Sequence, residues 1–390
     1  MSHRPLRLGI STCPNDTFAF HGLLSRGRSL GDRPLEFELA DVQELNERFL
    51  ANDFDAAKVS CHAALQAADQ LWWLRAGSAL GHGVGPLVLA TQPQPPAEPR
   101  VLAPGEHTTA HLLWQLFHSS GGIVEQRVFS EIMPALERGE ADLGVCIHEG
   151  RFTYAERGLV CLEDLGETWE RATGSALPLG GIAARRSLSD DVVRDLEDSI
   201  AWSIDFARAH PDDALETMRA HAQELSDAVL WKHVELYVNR HTVDLGAPGR
   251  RALTALAERA QAAGVSALGS GLECVPRPDR ARLFHFTSRE ALAAARAEGC
   301  PLGAASLETE GFVHASFADQ LAGTLAVHFT QAQAVHLVEL DEAALGDALV
   351  IEPSRGGRLF PHVYGALPLA AIKQDWALER GPDGWQLPPL

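Results

Sequence analysis

Asn52-Asp53-Phe54-Asp55-Ala56-Ala57-Lys58-Val59-Ser60 is the stretch that decides the architecture. Ahead of it, Leu45, Phe49 and Leu50 recur at helical spacing. After the acidic turn comes a short buried-strand pattern, and then a polar residue where the strand should end. The same order returns later in the chain. A helical pattern with Ile132, Leu136 and Glu137 leads through Gly139 to Asp142, and Leu143-Gly144-Val145-Cys146-Ile147 leads to His148. Two helix–turn–strand segments of one design predict two α/β lobes. In open α/β sheets, ligands bind beyond the carboxyl ends of strands, so Ser60 and His148 are each expected to face a crevice, with the lobes sharing one cleft.

Outward from these segments, short apolar runs alternate with helical patterns. Leu6 to Ile10 precedes a pattern over 17–26, Leu35 to Leu39 one over 43–51, Val101 to Ala103 one over 109–117, and Arg127 to Phe129 one over 130–138. This alternation predicts a largely parallel sheet. Helical spacing over 192–209, 211–222, 226–240 and 249–263 then predicts a helical end to the domain. Pro276 and Pro278, set among charged residues, mark a linker at 273–282. The expected division is therefore a domain at 1–272, the linker, and a smaller domain at 283–390. The Pro-rich run 93–99 reads as a surface crossover inside the first domain.

The 390 residues include 33 Lys and Arg against 52 Asp and Glu, a formal net charge of -19 that repels a phosphate backbone and argues against nucleic acid. The amino terminus carries no apolar signal-peptide core, and no run reaches the roughly 18 apolar residues of a membrane span, so a cytoplasmic protein with no membrane partner is expected. Six scattered cysteines without a Cys-x-x-Cys pair read as reduced, structural thiols.

For chemistry, His148 stands out, because an imidazole at a strand terminus can exchange a proton near neutral pH; the alternative is a hydrogen-bonded structural histidine. Thr108, Thr109 and Ala110 follow Pro104 and Gly105 and open a helix. They offer hydroxyls and free amides to a carboxylate or phosphate, or serve only as an N-cap. Ser11 to Thr17 fill a strand-to-helix junction with small polar groups, among them Asn15 and Asp16. Lys58, beside Ser60, either neutralises an acidic ligand or snorkels to the surface. Gly81 to Pro86 reads as a hinge-side loop, and Trp72 with Trp73 as core. His107, His111 and His118 lack a carboxylate at motif spacing, so no metal is expected. There is no Walker loop, no Gly-x-Gly-x-x-Gly after a strand and no Gly-x-Ser-x-Gly elbow.

The run Gly9-Ile10-Ser11-Thr12-Cys13-Pro14-Asn15-Asp16-Thr17-Phe18, with Asp41, Val42, Leu45 and Asn46, then Lys58-Val59-Ser60 and Ile147-His148, resembles the 1,4-dihydroxy-6-naphthoate synthases of the futalosine route to menaquinone over about residues 5–270. The resemblance implies a two-lobed fold of the periplasmic-binding-protein type (type II) used as a lyase. Its substrate would be cyclic dehypoxanthine futalosine, its products 1,4-dihydroxy-6-naphthoate and dihydroxyacetone, and it would need no cofactor. It also implies His148 as general base, with Lys58, Val59, Ser60, Thr109 and Ala110 at the substrate. Cys61 stands where the family leads one to expect Phe or another apolar residue, which leaves the Ser60 hydroxyl available. The alternatives are a chorismate dehydratase-like enzyme of the same pathway and a cytosolic small-molecule binding protein on the same scaffold.

The carboxyl-terminal part resembles another family, the domain-of-unknown-function 952 proteins, through His285-Phe286-Thr287, Gly311 to Ser316, and Phe360-Pro361-His362 with Tyr364, Gly365 and Leu367. That resemblance, over about 283–380, implies a small α+β domain with an ADP-ribosylation-like fold. His285, His314, Ser316 and His362, with Gln320, are the candidates for one pocket. An NAD-linked transferase and a regulatory or ligand-binding module are both open readings of it.

Overall fold

The computed structural model describes residues 4–27, 30, 33–118, 122–148, 150–222, 226–265, 271–382 and 384–389. They divide into two compact units, Met1–Leu245 with Gly249–Val275, and Gly246–Pro248 with Pro276–Leu390. In the first, β1 (Leu6–Ser11), α1 (Pro14–Ala19), α2 (His21–Arg26), β2 (Leu35–Ala40), α3 (Val42–Leu50), β3 (Ala56–Ser60) and α4 (Cys61–Gln66) alternate as the apolar pattern expects, and β4 (Leu71–Trp73) and β5 (Ala79–Gly81) follow. The chain then builds a second sheet from β6 (Leu87–Ala90), β7 (Arg100–Ala103), α5 (Thr109–Phe117), β8 (Ile123–Gln126), α6 (Phe129–Glu137), β9 (Leu143–Cys146), α7 (Gly150–Thr153), β10 (Val160–Asp164) and α8 (Leu165–Thr173). It returns to the first sheet as β11 (Leu177–Arg185). Five helices follow: α9 (Asp190–Ala209), α10 (Pro211–His221), α11 (Asp227–Tyr237), α12 (Arg240–Val243) and α13 (Gly246–Ala262).

The two sheets are built to one plan. Their orders, β2-β1-β3-β11-β4 and β8-β7-β9-β6-β10, correspond strand for strand. In each, the first two pairings are parallel and the last two antiparallel. The turns that feed β3 and β9 also match. Asn52 and Gly139 hold φ of 70° and 71°, a left-handed position open to Gly and Asn. Asp55 and Asp142 each accept the backbone N–H of the arginine in the neighbouring strand, from Arg7 at 2.9 Å and Arg100 at 2.7 Å.

The sheets are mixed rather than largely parallel, which corrects the expectation. Strand β11 lies antiparallel to β3 and β4, whose partners in sequence are too distant for a local pattern to reveal. The strand expected at Arg127 to Phe129 lies instead at Ile123–Gln126, and Phe129 opens α6. As an edge strand with largely exposed side chains, β8 carries little apolar signal.

Strand β3 is buried along its whole length, as a central strand covered on both faces must be. One apolar core runs through both lobes, from Leu45, Phe49 and Val59 to Leu112, Val145 and Trp169. Each such side chain contributes roughly 1.5–3 kcal/mol by burial. Trp73 belongs to this core, with its indole N–H donated to Ser78 Oγ at 3.1 Å, while Trp72 lies under the Arg186 guanidinium.

The second unit is a small α+β body with two antiparallel sheets. It comprises β12 (Leu283–Thr287), α14 (Arg289–Glu298), α15 (Ala305–Thr309), β13 (Val313–His314), β14 (Ser316–Phe317), α16 (Leu321–His328), β15 (Ala334–Leu340), α17 (Glu342–Leu345), β16 (Leu349–Pro353), β17 (Leu359–Val363), β18 (Ile372–Gly381) and β19 (Gly384–Trp385). The sheet orders are β14-β12-β15-β18-β19 and β13-β17-β16. No described helix is long and apolar enough to cross a membrane.

Candidate active site

The junction between β1 and α1 is a polar knot with little contact with water. Pro14 opens the helix at the position where a missing N–H is harmless, and Thr17 Oγ1 donates back to the Cys13 carbonyl at 3.1 Å. At the centre is Asp16. Its carboxylate accepts from Ser11 Oγ at 2.5 Å, Asn15 Nδ2 at 3.0 Å and Lys58 Nζ at 2.5 Å. Lys58 also donates to the Gly77 carbonyl at 3.3 Å. The lysine is only 6% exposed, so the snorkelling alternative is wrong: burial is possible because Asp16 compensates its charge. Asp16 is accordingly no helix cap but the tie between β1, α1 and β3.

At the end of β3, Ser60 is fixed by Asn46, which accepts the Ser60 N–H at 2.8 Å and donates its own Nδ2 to Ser60 Oγ at 3.1 Å. The same amide reaches the His107 carbonyl at 3.4 Å. Cys61 next to Ser60 is fully buried, and burial pushes its thiol well above the ordinary range. Thr108 is the N-cap of α5 and accepts the His111 N–H at 3.2 Å. Thr109 donates its hydroxyl to the Leu179 carbonyl of β11 at 2.6 Å. The capping reading is therefore right for Thr108, and what Thr109 and Ala110 offer a ligand is the amide-rich first turn of the helix.

His148 follows β9 with φ of 56°, a left-handed conformation that costs a non-glycine residue energy. Its Nδ1 lies 3.3 Å from Cys13 Sγ, and Phe129 packs edge-on at 4.8 Å. Burial lowers the imidazole to about 4; Asp16 opposes that shift and Lys58 adds to it. At neutral pH the ring is uncharged and can accept a proton.

Asn15, Asp16, Lys58, Val59, Ser60, Thr109, Ala110 and His148, all singled out from sequence, line one cleft. Sequence reasoning missed Leu179 and Gly180 of β11, and His233 and Tyr237 of α11, which line it too. The available signal was the His–Tyr pair four residues apart within an otherwise ordinary helical pattern. The loop from Gly81 to Pro86 carries the crossing between the sheets, and Gly85 and Pro86 also border the cleft.

His111 and His118, weighed from sequence as metal ligands, have partners of other kinds. His118 Nε2 lies 2.8 Å from Glu163, and His111 Nδ1 lies 3.1 Å from the Glu106 carbonyl. Among the described residues there is no group of three or more His, Cys, Asp or Glu able to hold a metal. In the second unit, His285 Nδ1 meets the His314 carbonyl at 2.7 Å, and the rings of His314 and His362 lie 5.0 Å apart. His362 Nδ1 is 2.8 Å from Glu352, which also accepts from Tyr364. The Ser316 hydroxyl is paired with Thr324, and Gln320 accepts the Phe317 N–H and donates to the Leu359 carbonyl. Gln320 is thus engaged in holding the fold.

Residues 6–262 match a family described as menaquinone biosynthesis, and residues 286–375 match a protein family of unknown function, domain 952. A 1,4-dihydroxy-6-naphthoate synthase of Thermus thermophilus is 47% identical over 263 residues, 67% of this chain and 96% of that protein. One of Streptomyces coelicolor is 41% identical over 276 residues, 69% and 98% of the two chains. A structural-genomics protein of Archaeoglobus fulgidus is 30% identical, with a TM-score of 0.64 over 68% of this chain and 99% of its own. The alkanesulfonate-binding protein SsuA of Xanthomonas axonopodis pv. citri is 12% identical, with a TM-score of 0.53 over 70% and 97%. That last likeness concerns the fold alone, which is of the periplasmic-binding-protein kind.

Proposed function

Since the chain belongs to the menaquinone biosynthesis family, we propose that its first unit is a 1,4-dihydroxy-6-naphthoate synthase. It acts in the cytoplasm as a carbon–carbon lyase, converting cyclic dehypoxanthine futalosine to 1,4-dihydroxy-6-naphthoate and dihydroxyacetone. The observation that carries the reading is the meeting of a neutral imidazole with a helix N-terminus in one cleft. The substrate carboxylate takes the amides of Thr109 and Ala110, where the helix dipole favours an anion. Ser60, oriented by Asn46, contributes a hydroxyl. His148 acts as general base, and its removal of a proton starts fragmentation of the sugar-derived ring. Aromatisation of the remaining bicycle draws the reaction forward, and closure of the lobes keeps water from the intermediates. The Asp16–Lys58 pair holds the floor of the cleft without adding net charge.

The test is to incubate the purified, metal-stripped chain with cyclic dehypoxanthine futalosine and follow 1,4-dihydroxy-6-naphthoate by mass and absorbance, beside His148→Asn. Product from the wild type alone supports both the lyase and its base. Full turnover by the variant would remove His148 from that role. Stoichiometric binding without product would favour a binding protein, and turnover of chorismate a dehydratase.

For the second unit we propose a small-molecule site at His285, His314, Ser316 and His362, supported by the carboxylate of Glu352 that orients His362. A thermal shift with NAD that is lost in His362→Asn would bear on it; no shift would weigh against the NAD-linked reading.

A further inference from the structure

One histidine of the cleft wall has no place in the mechanism above. His233, on α11, is 1% exposed, yet neither Nδ1 nor Nε2 meets a hydrogen-bond partner among the described residues. Aromatic rings pack around it: Tyr237 at 4.7 Å, His148 at 6.2 Å and Phe152 at 6.2 Å between centroids. A buried polar group left without a partner costs about 1–3 kcal/mol, and a phenylalanine would make the same ring contacts without that penalty. Burial, with His148 and Lys58 adding to it, lowers the ring to about 3, so at neutral pH it carries one N–H donor and one bare nitrogen acceptor.

We infer that His233 is a substrate-contacting residue whose donor and acceptor are satisfied by hydroxyl groups on the sugar-derived part of the bound substrate, beside the base His148. The inference rests on the lyase reading for the identity of the substrate and deepens it by assigning a wall of the cleft to the polyol. Hydroxyls suit the site because each both gives and takes a hydrogen bond. A carboxylate has no proton for the bare nitrogen, and an ammonium has no lone pair for the N–H. Recognition by polar groups that stay unpaired until the ligand arrives also discriminates strongly against analogues lacking the hydroxyl.

The experiment compares the full-length wild type, His233→Phe and His233→Asn in two ways: thermal unfolding without substrate, and kcat and KM for cyclic dehypoxanthine futalosine. In His233→Phe the melting temperature is expected to hold or rise while kcat/KM falls by about tenfold to a hundredfold. His233→Asn, which restores a donor and an acceptor, is expected to recover much of the loss. A lower melting temperature in His233→Phe would mark a histidine that serves the free fold and would overturn the inference, as would unchanged kcat/KM. Absence of product from the wild type would defeat the lyase reading, whereas the substrate-free thermal comparison would still judge His233.

Discussion

With His148 as the proposed base, its uncharged state sets where the pH dependence of the site is expected. Its imidazole is lowered to about 4, so the base form dominates at neutral pH and is lost only as acid protonates it. The acid limb of kcat/KM, which reports groups of the free enzyme, is therefore expected near pH 4 and not near the 6.5 of a solvated imidazole. Rates measured from about pH 4 to 8 decide this, and a limb centred near 6.5 would mean that the ring is wet. Lys58 and Asp16 make a second case. Removing one member of a buried pair strands the other's charge at a cost of about 3–5 kcal/mol, so Lys58→Met alone should lower stability by that order in urea unfolding. With Asp16→Leu added, the loss should be well below the sum of the two single losses. These residues were legible because polar side chains within or beside short buried-strand patterns announce themselves locally. His233 and Tyr237 were not: α11 reads as one more amphipathic helix, and only the tertiary fold brings it to the cleft.

The helix–turn–strand repeat was readable because its helix, turn and strand are contiguous in the sequence, although the bonds that anchor each turn are not. Asn52 and Gly139 reverse the chain, and Asp55 and Asp142 lock each turn to the neighbouring strand. The crossings between lobes were not readable, since β6, β10 and β11 take antiparallel partners from remote parts of the chain. At these crossings the backbone of Gly85 is packed so closely against α8 that a Cβ on Gly85 would lie 2.3 Å from the Gly166 nitrogen. Neither backbone can yield as a side chain would. Gly85→Ala should therefore destabilise the protein by about 1–3 kcal/mol, as overpacking does. Because Gly85 borders the cleft, kcat/KM should fall as well. Thermal unfolding together with kinetics checks both, and a variant equal to wild type would show that the crossing is looser than this contact requires.

At the scale of the whole chain, the prolines at 276 and 278 marked the expected linker, because they interrupt helical and strand patterns alike. They could not show that the three residues before them are still part of the first unit. The Trp73 N–H donates to the Glu273 carbonyl at 2.7 Å, Trp73 forms a parallel bridge with Cys274, and Arg75 donates to the Val275 carbonyl at 2.6 Å. Val275 itself is completely buried. These pairings join residues about two hundred positions apart, beyond the reach of any local pattern. A chain ending at Val275 is therefore expected to fold and to keep the turnover of the full-length protein. One ending at Leu272 gives up the backbone pairings and the burial of Val275, a loss of about 2–4 kcal/mol. Urea unfolding and turnover of the two truncated chains beside the full-length protein measure the difference. If both truncations lost activity equally, the second unit would be needed for catalysis, and its fusion to the first would have to be explained through the reaction itself.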